Sequence, residues 1–160
     1  MTLEEADGVL TFTVTDNGCG MTPEQVARLT DPFFTTRKTR NVGLGVPFLR
    51  MLSEGTGGEL FIESRSAADY PESHGTTLRA TFGLDHIDMI PLGDMTETVV
   101  TLIQGNPEIN FTYTHKTPRG TVCLSCKEMR KMLGDDIPLS SPEVLGWIRG
   151  YLDDGYAEMS

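Results

Sequence analysis

At 160 residues the chain is long enough for one domain, or two small ones, with a real core, and 38% hydrophobic residues is ordinary for a globular protein. Its formal net charge of −10, from 23 acidic against 13 basic residues, speaks against nucleic acid as a partner, because neutralising phosphates takes clustered Lys and Arg. No apolar run approaches the ~20 residues of a membrane helix, and Met1 leads into Glu4 and Glu5 rather than a basic and then apolar leader, so a cytoplasmic protein without a membrane partner is expected.

Met1 to Gly8 reads as a short acidic segment. Val9 to Thr15 alternates as a strand and delivers Asp16 at its end, with Gly18 and Gly20 following inside Asp16-Asn17-Gly18-Cys19-Gly20-Met21. A buried carboxylate is a specific acceptor for an exocyclic amine, and glycines let the main chain pass against a flat ligand or take positive φ. Asp-Asn-Gly alone also reads as a tight turn after a strand. Thr22-Pro23-Glu24-Gln25 is a capping box that starts a short helix presenting Val26 and Leu29.

Arg28, Arg37, Lys38, Arg40 and Arg50 then form a locally positive stretch in an acidic chain, suited to a small anionic ligand. Val46 to Glu54 is predicted helical, with Phe48, Leu49 and Leu52 on one face and a stop around Gly55. Its start, next to Gly43, Leu44 and Gly45, offers unpaired backbone N–H groups that attract anions. Glu59 to Ser64 and Thr76 to Phe82 alternate as strands around a loop at 65–75, with Leu60, Ile62, Leu78, Ala80 and Phe82 turned to one core. The fold class expected is α+β, a two-layer sandwich of mixed or antiparallel sheet with helices on one face.

Gly83 to Met95 reads as a connector, after which a small α+β extension is expected. It comprises a helix over Thr96 to Gln104, a hairpin of Ile109 to His115 with Thr121 to Leu124 around Pro118-Arg119-Gly120, a helix over Cys126 to Leu133 capped by Ser125, and a last helix from Ser141-Pro142. In the last helix Val144, Leu145, Ile148, Tyr151 and Leu152 make an apolar stripe with Trp147 beside it, either core or a groove-binding or dimer face. Three cysteines without an export signal suggest reduced thiols. Cys123 and Cys126 form a lone C-x-x-C without a second ligand pair, read as plain thiols ahead of half of a shared zinc site or a redox pair, with no metal site expected.

The ordered series Asp16-Asn17-Gly18-Cys19-Gly20, Pro32-Phe33-Phe34-Thr35-Thr36-Arg37-Lys38, Gly43-Leu44-Gly45-Val46 and Gly75-Thr76-Thr77-Leu78 resembles the ATP-binding domain of the GHKL superfamily, in its histidine-kinase-like branch. The resemblance implies a Bergerat-type ATP-binding fold, N-terminally truncated, over residues 1–83, a connector at 84–95 and an extension of unknown role at 96–160. It implies that Asp16 binds the adenine amine with support from Thr76, that Gly18 and Gly20 let the chain pass the base, and that Met21 packs on its face. Residues 31–44 would form a lid over the phosphates with Arg37 or Lys38 as charge partner, and Gly43, Leu44 and Gly45 would open the next helix toward them. ATP and Mg²⁺ are the implied ligands. The family also carries an upstream helix, the N box, whose Asn holds Mg²⁺ and positions the attacking water. Only fifteen residues precede Asp16 and none of Met1 to Gly8 is Asn, so a fragment of a longer protein is expected.

Two readings follow. One is an ATP-binding protein of the histidine-kinase type, with ATP hydrolysis or phosphoryl transfer as its reaction. The other is a regulatory or interaction module that keeps the fold without turnover. An unidentified protein partner and a homodimer are expected as associations, the latter because a sheet edge and apolar surface would be left open. Neither His74, His86 nor His115 sits in the phospho-acceptor pattern of the kinases, so autophosphorylation in cis is not expected.

Overall fold

The computed structural model describes residues 1–29, 43–134 and 136–159. The architecture is α+β, and it divides into two units: Glu5–Met89, and Ile90–Ser160 together with Met1–Glu4.

In the first unit, β2 (Val9–Asp16), β3 (Leu60–Arg65) and β4 (Gly75–Gly83) form an antiparallel sheet in the order β3-β4-β2. Strand alternation decides its faces. Register aligns Leu10 with Phe82, Phe12 with Ala80 and Leu60, and Val14 with Leu78 and Ile62, so one face is a continuous apolar row. Leu10, Ala80 and Phe82 are buried there. The next position along the same face aligns Asp16, Thr76 and Ser64, where the apolar row gives way to a carboxylate and two hydroxyls.

Helices α1 (Pro23–Arg28) and α2 (Gly45–Gly55) pack on this sheet. The capping box expected at Thr22 is present in both directions, with Gln25 N–H on Thr22 Oγ1 at 3.3 Å and Thr22 N–H on Gln25 Oε1 at 2.9 Å. The apolar face read for α2 is only partly turned inward: Leu49 is half-buried, one turn before Ser53. Phe48 and Leu52 are 52% and 40% exposed, and the helix is seated through the fully buried Ser53, whose hydroxyl donates to Thr81 O at 2.8 Å. A small hydroxyl side chain lets the helix approach the strand closely, and its bond to a main-chain carbonyl fixes which face points inward.

The acidic segment at the start is also more ordered than its composition suggests. Thr2–Ala6 is a strand, β1, followed by Asp7 and Gly8 with φ of 52° and 75°. Two successive positive φ values are the geometry of the two-residue turn that matches the twist of a hairpin.

The second unit contains residues 2–4 of β1, β5 (Thr112–Thr117) and β6 (Gly120–Ser125), with β1 running parallel to β5 through Leu3 opposite His115, and β5 antiparallel to β6. Strand β5 starts later than expected because Ile109 and Phe111 are taken up in turns, their N–H groups on Asn106 O and Ile109 O. Helices α3 (Met95–Gly105), α4 (Cys126–Leu133) and α5 (Pro142–Glu158) complete the unit. Asp94 caps α3 through Glu97 N–H at 2.8 Å, and Ser125 caps α4 through Glu128 N–H. Val99, Val100 and Ile103 of α3 are buried, as are Val144, Leu145, Ile148 and Leu152 of α5.

Arg149 forks onto Glu97, tying α5 to α3, and its guanidinium holds the Glu97 carboxyl below the usual range. Of the apolar stripe read along α5, Tyr151 is 44% exposed and stacks on Trp147. Beneath β5, Tyr113 is buried with its hydroxyl 2.5 Å from that of Tyr156, which in turn lies 3.0 Å from His115 Nδ1. Burial, and then the bond to Tyr156, push the Tyr113 phenol above its ordinary pKa. Among the described residues, no helix is long and apolar enough to cross a membrane.

Candidate functional site

The row Asp16, Thr76, Ser64 stands at the end of the sheet because three strands terminate in register there. Ser64 Oγ is the hub: it lies 2.8 Å from Thr76 Oγ1, donates to Gly75 O at 3.1 Å, and accepts Met21 N–H at 2.9 Å. The hydroxyl therefore joins the ends of β3 and β4 to the loop that follows Asp16. Asp16 itself is solvent-exposed, and its Oδ1 accepts Gly18 N–H at 2.8 Å. That bond orients the carboxylate relative to the loop that follows.

The glycines of this loop are dictated by backbone approach. Gly20 has φ of +64°, and a Cβ there would stand 1.8 Å from Arg65 O. Gly75 has φ of +137°, and a Cβ would stand 2.1 Å from Asp16 O. At both positions a side chain is excluded twice, by conformation and by the neighbouring main chain. Cys19 O accepts Ala67 N–H at 2.8 Å and His74 Nδ1–H donates to Gly18 O at 2.6 Å, so the Asp16 loop is stitched to the 65–75 segment from both sides.

Together these elements border an open cleft of about 830 Å³. Its polar end is formed by Asp16, Ser64, Thr76, Thr77 and His74, and its apolar side by Pro23, Val26 and Ala27 of α1 with Ile62 of β3. The volume lies in the range of small-ligand sites, roughly 300–1,000 Å³, and the mixture of apolar walls with a few convergent polar groups is their usual chemistry. A flat ligand entering from the strand ends would meet a carboxylate and hydroxyls on one edge and aliphatic carbons on its face.

Of the residues singled out from sequence, Asp16 and Thr76 line this cleft; Gly18, Gly20 and Met21 do not line it and lie in the loop after Asp16, where Gly18 N–H bonds Asp16 and Met21 N–H bonds Ser64. Gly43, Leu44 and Gly45 are not among its lining residues. Gly45 opens α2 behind Leu44, whose side chain makes no cap, and a Cβ on Gly45 would meet nothing within 4 Å. Arg37, Lys38 and most of the expected 31–44 lid lie outside the described residues. Sequence reasoning missed Ser64 and His74. Ser64 was findable, because it has the same strand parity as Leu60 and Ile62; His74 carried no signal beyond its place in a loop.

Among the described residues no group of three or more His, Cys, Asp or Glu could hold a metal ion. Cys126 is buried and Cys123 exposed, and burial pushes the Cys126 thiol up, which makes it a poorer thiolate ligand or nucleophile.

Residues 1–86 match the family described as histidine kinase-, DNA gyrase B-, and HSP90-like ATPase, and the chain belongs to that family. Similar proteins include a probable C4-dicarboxylate sensor kinase of Bacillus subtilis (strain 168), 30% identical over 66 residues, covering 41% of this chain and 12% of that protein. The histidine protein kinase DivJ of Caulobacter vibrioides is 39% identical over 66 residues, covering 39% of this chain and 11% of that one. The chain thus spans only a small part of the length of these curated relatives. Its family-matching part is an ATPase/kinase-type domain.

Proposed function

We propose that this chain binds ATP in the cleft at the end of β2, β3 and β4. In this reading Asp16 accepts the adenine amine, and the Thr76 hydroxyl, positioned by Ser64, supports it directly or through a water. Gly18 and Gly20 let the main chain pass the base, and Met21 packs on its face. Arg37 or Lys38 meets the phosphates under a lid formed by 31–44, and Gly43, Leu44 and Gly45 present the start of α2 to them. The observation that carries the reading is the in-register row Asp16, Thr76, Ser64 beside Gly20 and Gly75, where a Cβ would collide with neighbouring main chain. Residues 1–83 would then be the nucleotide-binding part, 84–95 a connector and 96–160 an extension.

The reaction we propose for this domain within its protein is phosphoryl transfer from ATP or its hydrolysis. Mg²⁺ bound with a nucleotide takes one or two carboxylates plus phosphate oxygens. The carboxylates lining the described cleft are Asp16 and Glu63; Asp16 is assigned to the base, and Glu63 stands exposed on the opposite face parity of β3. The described residues therefore do not make a Mg²⁺ site.

Displacement of a fluorescent ATP analogue tests the reading. ATP and adenosine diphosphate should displace it, and GTP, which offers a carbonyl where adenine offers an amine, should not, because a site built on that hydrogen bond rejects ligands lacking it. Equal displacement by ATP and GTP would overturn the assignment of Asp16.

A further inference from the structure

Helix α5 carries a second row of residues that neither its core nor the nucleotide cleft uses. Glu143, Trp147, Tyr151, Asp154 and Glu158 recur at helical i, i+4, i+8, i+11 and i+15 positions, beside the buried Val144, Ile148 and Leu152. Trp147 and Tyr151 are 54% and 44% exposed, with their rings stacked at 5.5 Å and 13°. Next to them α4 presents Met132, 74% exposed. Between the two helices lies a groove of about 350 Å³, walled by Met129, Met132, Leu133, Val144 and Trp147, with Glu143 as its one charged lining residue.

Stacked aromatics and methionines around an unfilled groove form the kind of surface that proteins present to other proteins. The charge around it selects the occupant. Glu143, Asp154 and Glu158 are exposed and make no ion pair among the described residues. Arg149 of α5 is committed to Glu97, and Lys131 of α4 to Glu128 at 2.8 Å. The aromatic row is therefore framed by carboxylates, and neither Lys127 nor Arg130 of α4 lines the groove. A second copy laid on it about a two-fold axis would set acidic row against acidic row, so self-association through this face is opposed.

We infer that the α4–α5 groove docks a basic amphipathic helix of a partner protein. Its apolar side chains seat on Met132, Trp147 and Tyr151, and its Lys or Arg side chains meet Glu143, Asp154 and Glu158. The row from Glu143 to Glu158 is about 22 Å long at 1.5 Å per residue, which a helix of about four turns matches. Cations over the exposed indole face add to the contact.

Trp147 is the single tryptophan of the chain, so its emission reports whether the groove is covered. The probe is a synthetic helix of about 15 residues made of Leu and Lys, long enough to span the row, with a Leu/Glu peptide of identical apolar pattern as its counterpart. Expected are saturable binding of the Leu/Lys peptide with a blue shift of Trp147, no binding of the Leu/Glu peptide, and weakening at about 0.5 M salt. The triple variant E143Q/D154N/E158Q should bind about tenfold or more weakly, as loss of several charge pairs requires. Neutralising three exposed carboxylates elsewhere, D69N/E72Q/D88N, should leave binding unchanged. No binding, binding without a Trp147 shift, equal binding of both peptides, or equal loss in both triple variants would each overturn the inference. So would concentration-dependent self-association that itself shifts Trp147.

Discussion

Replacing Gly20 with Ala should unseat the Asp16 loop. The added Cβ would lie 1.8 Å from Arg65 O and 2.5 Å from Arg65 C, whereas real Cβ atoms essentially never come within 3.0 Å of another heavy atom, so loop and strand must part by about 1.2 Å. The two bonds flanking the position, Cys19 O from Ala67 N–H at 2.8 Å and Met21 N–H to Ser64 Oγ at 2.9 Å, would not survive that shift intact. Left-handed backbone costs an alanine about 1–2 kcal/mol, and forcing apart a packed contact costs about 1–3 kcal/mol more. The sum, about 2–5 kcal/mol, is a large fraction of the ~5–15 kcal/mol that holds a domain folded. Urea unfolding followed by circular dichroism should show a lower midpoint at unchanged slope. A variant within about 0.5 kcal/mol of the parent would refute the steric argument.

Gly45→Ala should behave in the opposite way: with nothing within 4 Å of its Cβ and an ordinary helical φ, alanine should raise stability by about 0.4–1 kcal/mol while lowering ATP affinity if the start of α2 faces the phosphates. Thermal unfolding and nucleotide titration of one sample separate the two effects. Ser64→Ala should cost about 1–3 kcal/mol in urea unfolding, because it strips Met21 N–H and Thr76 of the partner that positions them. Tyr156→Phe should cost about 1–3 kcal/mol by leaving the buried Tyr113 hydroxyl unsatisfied. The raised Tyr113 pKa has its own signature: the unfolded phenol ionises first, near pH 10, so its stabilising contribution is full below that pH and falls by about 1.4 kcal/mol per pH unit above it. Urea midpoints at pH 9 to 11 measure this, and a flat profile would contradict the burial argument.

The extent to which all this was legible in the sequence depended on whether the signal was local. The capping box at Thr22, the cap at Ser125, the turn at Pro118-Arg119 and the alternation of β3 and β4 are written in neighbouring residues, and they appear where the pattern puts them. Strand β1 was hidden because an acidic segment has no apolar period, yet Asp7-Gly8 before an alternating strand is a hairpin signal in its own right. The inward face of α2 could be read only in part from its apolar residues, since Leu49 is half-buried while a serine bonded to a strand carbonyl, rather than Phe48 or Leu52, seats the helix. Trp147 and Tyr151 fall on the flank of an apolar stripe, where periodicity does not say which large residues are covered. At the cleft, Asp16 and Thr76 came from ordered motifs, whereas Ser64 became visible as the hub only when register placed it beside them.

The central claim is that Asp16 at the end of β2 receives adenine. Calorimetric titration of ATP into the chain and into an Asp16→Asn variant tests it most directly. The account predicts saturable binding to the parent that is weakened about tenfold to about 150-fold in the variant, the loss expected for one hydrogen bond to a charged acceptor at about 1.5–3 kcal/mol. Equal heats and equal affinities in the two proteins would contradict it.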